Sequence, residues 1–237
     1  MTQPGMARLG FDNDLRLVRD SLVTMTGTAS EAIRAATTAL LDQDMEAVRV
    51  IASLDQELEA DQMMVERRTS QLLARQQPVA ADLRMLVSAI KISAECRRMG
   101  ALAHHIGTAS SRSYPAPAIP DELSRIFRRM GDVASRIADG ARITLRTSDA
   151  RDAARLEVDD DAMDGLCRAL FRTLVQDWPH GVETAINVAL LGRYYERFAD
   201  HAVAIAQSVI FIVTGTKPDG RIMSAEPSLR AGTNTER

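Results

Sequence analysis

The segment SSRSYPAPAIP, residues 110–120, interrupts the chain almost at its midpoint. It contains three prolines, which lack a backbone N–H and cannot continue a helix, so we interpret it as a semi-rigid linker. On both sides, long stretches pass without glycine or proline, apolar residues recur three and four positions apart, and aromatic residues make up only 4% of the chain. These patterns favour helices over strands. The sequence therefore predicts an all-α protein whose two halves are joined by this linker.

Each half is predicted to contain three helices. In the first half they cover about residues 12–41, 45–75 and 80–108, with breaks at DQD (42–44) and at Pro78. In the second half one helix begins near Pro120, one follows Asp149, and one follows WPHG (178–181) and ends near Gly215. Asp44 and Asp149 are suited to be N-caps. The predicted organisation is residues 10–112, a linker at 113–120, residues 121–216, and a disordered tail at 217–237.

The two halves carry traces of an internal duplication. A shift of 99 positions places CRRMGALAHHI (96–106) on YERFADHAVAI (195–205). A shift of 105 positions aligns an N-cap and two acids of the first half with those of the second: Asp44 with Asp149, Asp55 with Asp160, and Glu59 with Asp164. Because the cap, the acidic pair and the later motif recur in one order, we predict two tandem three-helix bundles related by a pseudo-twofold repeat.

Two acidic pairs stand out in the second half. Asp160 and Asp164 are four positions apart, as are Glu196 and Asp200, and this spacing places each pair on one face of its helix. Paired carboxylates repel one another, and a hard di- or trivalent cation held between facing helices would compensate them. Arginines could do the same, and acidic residues on helices most often form a solvated face. The spacing alone leaves these alternatives open.

Composition excludes several other functions. A net charge of −3 and a pI near 5.9 argue against nucleic acid as a partner. Two cysteines are too few for a disulfide framework, and the N-terminus lacks the apolar segment of a signal peptide, so a cytoplasmic location is expected. No glutamate is followed by histidine in the Glu-x-x-His spacing of di-iron enzymes. The sequence therefore favours a binding or regulatory protein over an enzyme.

The stretches LLARQQPVAADLR (72–84), ERFADHA (196–202) and FIVTG (211–215) resemble the PhoU family of phosphate-transport regulatory proteins, and in particular its actinobacterial PhoY-like branch. The resemblance implies two tandem three-helix bundles, a homodimer, and an acidic motif that holds iron clusters in some members. It implies a cytoplasmic adaptor that couples the Pst phosphate ABC transporter to a PhoR-type sensor kinase. Such an adaptor reaches the membrane only through these partners and represses the phosphate-starvation response when phosphate is plentiful.

Carried over residue by residue, the resemblance makes Asp160, Asp164, Glu196 and Asp200 metal ligands in the second half. His201 and Arg197 are candidates for hydrogen bonding to these ligands. The equivalent first-half motif is lost, because Arg97 and Ala101 stand at its two acidic positions.

In the first half, the sequence therefore predicts that Arg97 forms a metal-free ion pair with Asp55 and Glu59. Iron or another di- or trivalent metal is expected in the second half only. Two alternatives remain: a carboxylate-bridged iron protein with oxidase activity, and a metal-free helical scaffold whose acids pair with Arg155, Arg193 or Arg197.

Overall fold

The computed structural model describes residues 4–176 and 178–216. Within these ranges the chain forms six long helices and no strand, and a short 3-10 turn at Asp121–Leu123 precedes the fourth helix. The helices are α1 (Pro4–Asp42), α2 (Met45–Gln76), α3 (Ala80–Ser113), α4 (Ser124–Thr147), α5 (Ala150–Val175) and α6 (Gly181–Thr214). The predicted all-α fold of two three-helix bundles is confirmed. The tail predicted at 217–237 lies outside the described residues.

Two helices are longer than the sequence predicted. The first begins at Pro4 rather than near Asp12, and the third ends at Ser113 rather than at Thr108. The extension of α3 is held in place because the buried hydroxyl of Ser110 donates a hydrogen bond to the carbonyl oxygen of Ala39 in α1, at 2.6 Å. Nothing in the residues between Thr108 and the first proline of the linker interrupts helical hydrogen bonding.

The second helix of each half begins with the same cap. Asp44 Oδ1 accepts hydrogen bonds from the amides of Glu46 (2.8 Å) and Ala47 (3.1 Å). Asp149 Oδ1 accepts from the two equivalent amides at the start of α5 (2.8 and 3.3 Å). These caps satisfy amides that would otherwise lack partners, and replacing such a cap by alanine costs about 1 kcal/mol. Both predicted N-caps are confirmed.

The two bundles share one apolar core. In each half the three helices pack against one another, and across the halves α1 packs against α4 and α3 against α6. In the first pair, Ser30 Oγ donates to the carbonyl oxygen of Ser135, and Arg34 pairs with Asp139. In both contacts the two residues are 105 positions apart, so equivalent residues of the two halves meet near the pseudo-twofold axis.

Within the described ranges, α6 alone is long and apolar enough to cross a membrane by length and composition. Such a helix is weak evidence for a membrane span, because core helices of bundles share these properties. Here the side chains of Tyr195, Phe198, Ala202 and Ile205 are fully buried. Contacts with α3, α4 and α5 therefore account for the buried part of the apolar surface of α6.

Candidate functional site

The acids of the second half lie along the seam between α5 and α6, which pack against each other. Asp160 and Asp164 project from α5, and Glu196 and Asp200 project from α6. Asp160 and Asp200 are half-buried, and the charge of Asp200 acts on Asp160 across the seam. The structure therefore brings together the four carboxylates that the sequence selected, in one groove that we call the second-half acidic groove.

The raised pKa of Asp160 indicates a high density of negative charge in this groove. The pKa of Asp160 is raised to about 7, mainly by burial and then by the charges of Asp200, Asp164, Asp161 and Glu196, in that order. Burial also raises the pKa of Asp200, together with the charge of Glu196, and nearby cations offset only part of this effect. Negative charge thus accumulates in the groove beyond what its own side chains neutralise.

Arginines compensate only part of this charge. Arg193 Nη1 lies 2.5 Å from Glu196 Oε1, and Arg168 Nη1 lies 3.7 Å from Asp164 Oδ2. In the described ranges, no arginine, lysine or histidine nitrogen lies within 4 Å of a carboxylate oxygen of Asp160 or Asp200. A metal-free scaffold therefore accounts for two of the four acids and leaves the half-buried Asp160 and Asp200 unpaired.

This donor set fits a hard cation, because carboxylate oxygens are the ligands such ions select. Among the described side chains, however, no three His, Cys, Asp or Glu residues already converge closely enough to coordinate an ion. Binding would therefore require side-chain rotations on α5 and α6. The residues available to hold the ion are Asp160, Asp164, Glu196 and Asp200.

The equivalent place in the first half is arranged differently. Arg97 Nη1 on α3 lies 2.7 Å from Asp55 Oδ1 on α2, and Arg97 Nη2 lies 3.9 Å from Glu59 Oε2. Asp55 and Arg97 are largely shielded from solvent, whereas Glu59 is exposed. The guanidinium thus occupies the position that a cation would take, and this donor set does not fit a metal.

A further partner in the first half is absent from the sequence prediction. His104 Nδ1 lies 3.0 Å from the second carboxylate oxygen of Asp55, so Asp55 bridges Arg97 and His104. His104 is seven positions after Arg97, which places both on the same side of α3. The seven-residue spacing of Arg97 and His104 is the sequence signal for this contact.

The hydrogen-bond partner of His201 lies on α3 rather than in the acidic groove, although the charge of His201 still lowers the pKa of Asp200. His201 Nδ1 lies 2.7 Å from Glu95 Oε2 on α3, and Glu95 Oε1 also accepts a hydrogen bond from Arg98 at 3.3 Å. Burial would raise the pKa of Glu95, but the hydrogen bond from His201 and the charges of His201, Arg98 and Lys91 outweigh burial and lower it. His201 therefore links the two halves, and Arg197 is exposed to solvent.

The two cysteines offer no reactive thiol. Both are buried and free. Burial raises the pKa of the Cys96 thiol and of the Cys167 thiol to about 12. Neither is a thiolate nucleophile near neutral pH.

Comparison with known proteins agrees with the repeated architecture. A family model described as the PhoU domain matches the chain twice, over residues 22–109 and 127–209. The chain belongs to the PhoU family. Each PhoU match covers most of one three-helix bundle, so the family model recognises the same two units that the helices form.

Curated PhoU relatives are similar along most of the chain. Phosphate-specific transport system accessory protein PhoU homolog 1 of Mycobacterium tuberculosis is 43% identical over 195 residues, which cover 82% of this chain and 88% of the relative. PhoU homolog 2 of the same organism is 41% identical over 212 residues, covering 89% of this chain and 100% of the relative. These names describe accessory proteins of phosphate transport rather than enzymes.

Solved PhoU structures share the fold. The crystal structure of PhoU from Pseudomonas aeruginosa superimposes with a TM-score of 0.80 at 25% identity and covers 87% of this chain and 100% of that one. The phosphate transport system regulatory protein PhoU from Streptococcus pneumoniae superimposes with a TM-score of 0.78 at 21% identity, covering 88% of this chain and 99% of that one.

Proposed function

We propose that this chain is a PhoU-type accessory protein of phosphate transport that acts as a cytoplasmic adaptor. It couples a Pst phosphate ABC transporter to a PhoR-type histidine kinase and represses the phosphate-starvation response when phosphate is plentiful. The observation that carries this proposal is the double PhoU domain match, because both halves of the folded body belong to the family. A homodimer is part of the proposal.

Direct capture of phosphate is not part of this role. An anion site needs convergent arginines, lysines or helix N-termini. The recess beside the linker is lined by residues such as Pro117, Asp121, His180 and Glu183, without an arginine or lysine. The second-half acidic groove, with its half-buried Asp160 and Asp200, would repel an anion. The proposed adaptor therefore receives phosphate status from the transporter.

The regulatory role is tested by deleting the gene and measuring a starvation-induced reporter in phosphate-replete medium. We expect derepression of the reporter in the deletion strain and repression again when the wild-type gene is returned. An unchanged reporter, in a strain from which any related gene has also been removed, would refute the role. Capture of the transporter ATPase by the tagged full-length chain tests the coupling separately.

We further propose that the second-half acidic groove holds iron or another di- or trivalent metal and that the first half holds none. The proposal rests on two unpaired, half-buried carboxylates in one half and on a fixed guanidinium in the other. When bound, the metal would supply the positive charge that the groove lacks. Asp160, Asp164, Glu196 and Asp200 would hold it.

Metal analysis of protein purified without chelator tests this proposal. We expect bound metal in the wild type, loss of metal in an Asp160→Asn/Asp200→Asn variant, and full retention in the matched first-half variant Asp55→Asn/Glu59→Gln. The paired design separates local effects from general loss of acidic charge. Metal-free wild type, or equal loss in both variants, would contradict the proposal.

A further inference from the structure

The exposed side of α4 is strongly basic. This helix is the most amphipathic of the six, and its solvent-facing side carries arginines at intervals of three, four and seven positions. We call this surface the basic face of α4; its arginines are Arg125, Arg128, Arg129, Arg136, Arg142 and Arg146, all of them exposed. The acids on the same side are Asp132 and Asp139. Six positive charges against two negative ones leave an excess of four in a chain whose net charge is −3.

Few of these charges are neutralised by neighbours. Arg142 lies 3.7 Å from Asp139, and Arg128 lies 3.9 Å from Asp42 of α1. Asp139 is shared, because it also pairs with Arg34. The remaining four arginines have no carboxylate oxygen within 4 Å among the described residues. Exposed ion pairs at these distances contribute little, so the basic face carries uncompensated charge.

The fold itself does not require this charge. The shift of 105 positions that aligns the caps Asp44 and Asp149 also relates α1 to α4. It places Asp20, Thr24 and Glu31 of α1 at the positions of Arg125, Arg129 and Arg136. An acidic or neutral side chain therefore serves equally well at the equivalent exposed positions. The arginines of α4 need a reason outside packing.

We infer that the basic face of α4 docks against the anionic phospholipid headgroups of a membrane surface. Arg125 and Arg146 are separated by about 32 Å along the helix, so the charge is spread along a line rather than gathered in a pocket. A line of guanidinium groups matches an array of headgroup phosphates, each of which an arginine can bind through two hydrogen bonds.

The face suits lipid better than a protein partner. Stable protein interfaces bury an apolar or aromatic centre. On the exposed side of α4 the large apolar side chain that reaches solvent is Ile143, 41% exposed. Attraction to an anionic membrane requires charge density alone, and each arginine near such a surface strengthens binding about fivefold. This inference goes beyond the proposed function, because lipid binding needs neither transporter nor kinase, and it adds a direct contact to partner-mediated recruitment.

Vesicle co-sedimentation of the full chain tests the inference. We expect binding to vesicles of phosphatidylcholine with about 30% phosphatidylglycerol, and no binding to pure phosphatidylcholine. Raising sodium chloride from about 50 to about 200 mM should release the protein. A triple variant, Arg125→Gln/Arg129→Gln/Arg136→Gln, should lower the partition coefficient about a hundredfold, and each single variant about fivefold.

The matched control neutralises three exposed arginines of α2 and α3, as Arg67→Gln/Arg75→Gln/Arg112→Gln, and should lower binding less than about threefold. Equal loss in both triple variants, or equal binding to neutral vesicles, would overturn the inference. The inference would also be overturned if inorganic phosphate displaced the protein from the vesicles more strongly than chloride does at equal ionic strength. Binding to polyglutamate as tight as binding to the anionic vesicles would overturn it as well. Far-ultraviolet circular dichroism verifies that each variant is folded.

Discussion

The substitution Asp160→Asn tests how much the negative charge of Asp160 destabilises the second-half acidic groove. Burial and neighbouring carboxylates raise the pKa of Asp160 from its ordinary value of 3.8 to about 7 in the folded chain. At a pH between these two pKa values, the Asp160 carboxyl is deprotonated in the unfolded chain and protonated in the folded chain. The stability that this residue contributes therefore falls as pH rises from about 4 to about 7 and stays low above that. An asparagine carries no such penalty.

The magnitude follows from the difference between the pKa of Asp160 in the folded chain and in the unfolded chain. If this difference acted in full on the free energy of unfolding, it would lower that free energy by about 4 kcal/mol above pH 7. Asp160 is only half-buried, and solvent and salt screen the charges of its neighbours, so we expect about 2 kcal/mol. For a chain of this size, each kcal/mol displaces the melting temperature by about 2–4 °C. Asp160→Asn should therefore raise the melting temperature by about 4–8 °C near pH 8 and leave it nearly unchanged near pH 4.

Differential scanning calorimetry across this pH range, with chelator present, measures the effect. Asp132→Asn is the matched control, because it makes the same chemical change on the exposed side of α4. Its melting temperature should follow that of the wild type at every pH. A stabilisation by Asp160→Asn that does not depend on pH, or a loss of stability near pH 8, would refute the account of the groove as an accumulation of negative charge.

Three further substitutions test other contacts. Glu95→Gln removes the carboxylate that binds His201 across the halves. Because the pKa of Glu95 is lowered, its stabilisation is present above about pH 4.5 and is lost in acid. Urea denaturation of the variant should show an unfolding free energy lower by about 2 kcal/mol near pH 7, and this free energy should fall less steeply as the pH is lowered. Thr69→Val should raise the free energy of unfolding by about 1 kcal/mol, because the buried Thr69 hydroxyl has no hydrogen-bond partner among the described residues. Arg97→Glu/Ala101→Asp restores the first-half acidic motif and removes the cation that faces Asp55. Calorimetry in chelator should therefore show a lower melting temperature than that of the wild type. Adding metal should recover part of this loss, an effect that we do not expect from the first half of the wild type.

Local signals predicted the fold well. The interrupting prolines, the two aspartate caps and the helical periodicity are short-range features, and each corresponds to one element of the structure. The ends of α1 and α3 were less accessible. Ser110 is helical because its hydroxyl reaches a carbonyl of α1, and a contact between residues 71 positions apart leaves no local trace.

The candidate site was predictable only as far as the repeat extends. Equivalent positions in the two halves selected Asp55 and Asp160, and both lie in the predicted seams between helices. Which cation faces each acid depends on rotamers and on neighbouring helices, so His104 was missed. The partner of His201 was missed for a similar reason, since Glu95 belongs to the other half and has no acidic counterpart in the repeat.

The two halves resolve the same electrostatic problem in different ways, and this difference bears on the function of the chain. In the first half, Arg97 is covalently part of α3, so the charge opposite Asp55 is permanent and we expect this half to be insensitive to metal supply. In the second half, the charge of Asp160 and Asp200 is left without a fixed partner, and its cost is relieved only by protonation or by an external cation. The two PhoU repeats therefore differ: a fixed arginine faces Asp55 in the first half, whereas Asp160 and Asp200 have no such partner among the described residues of the second. Because α3 and α6 pack against each other, we expect a change in the α5–α6 seam to bear directly on the interface with the first half.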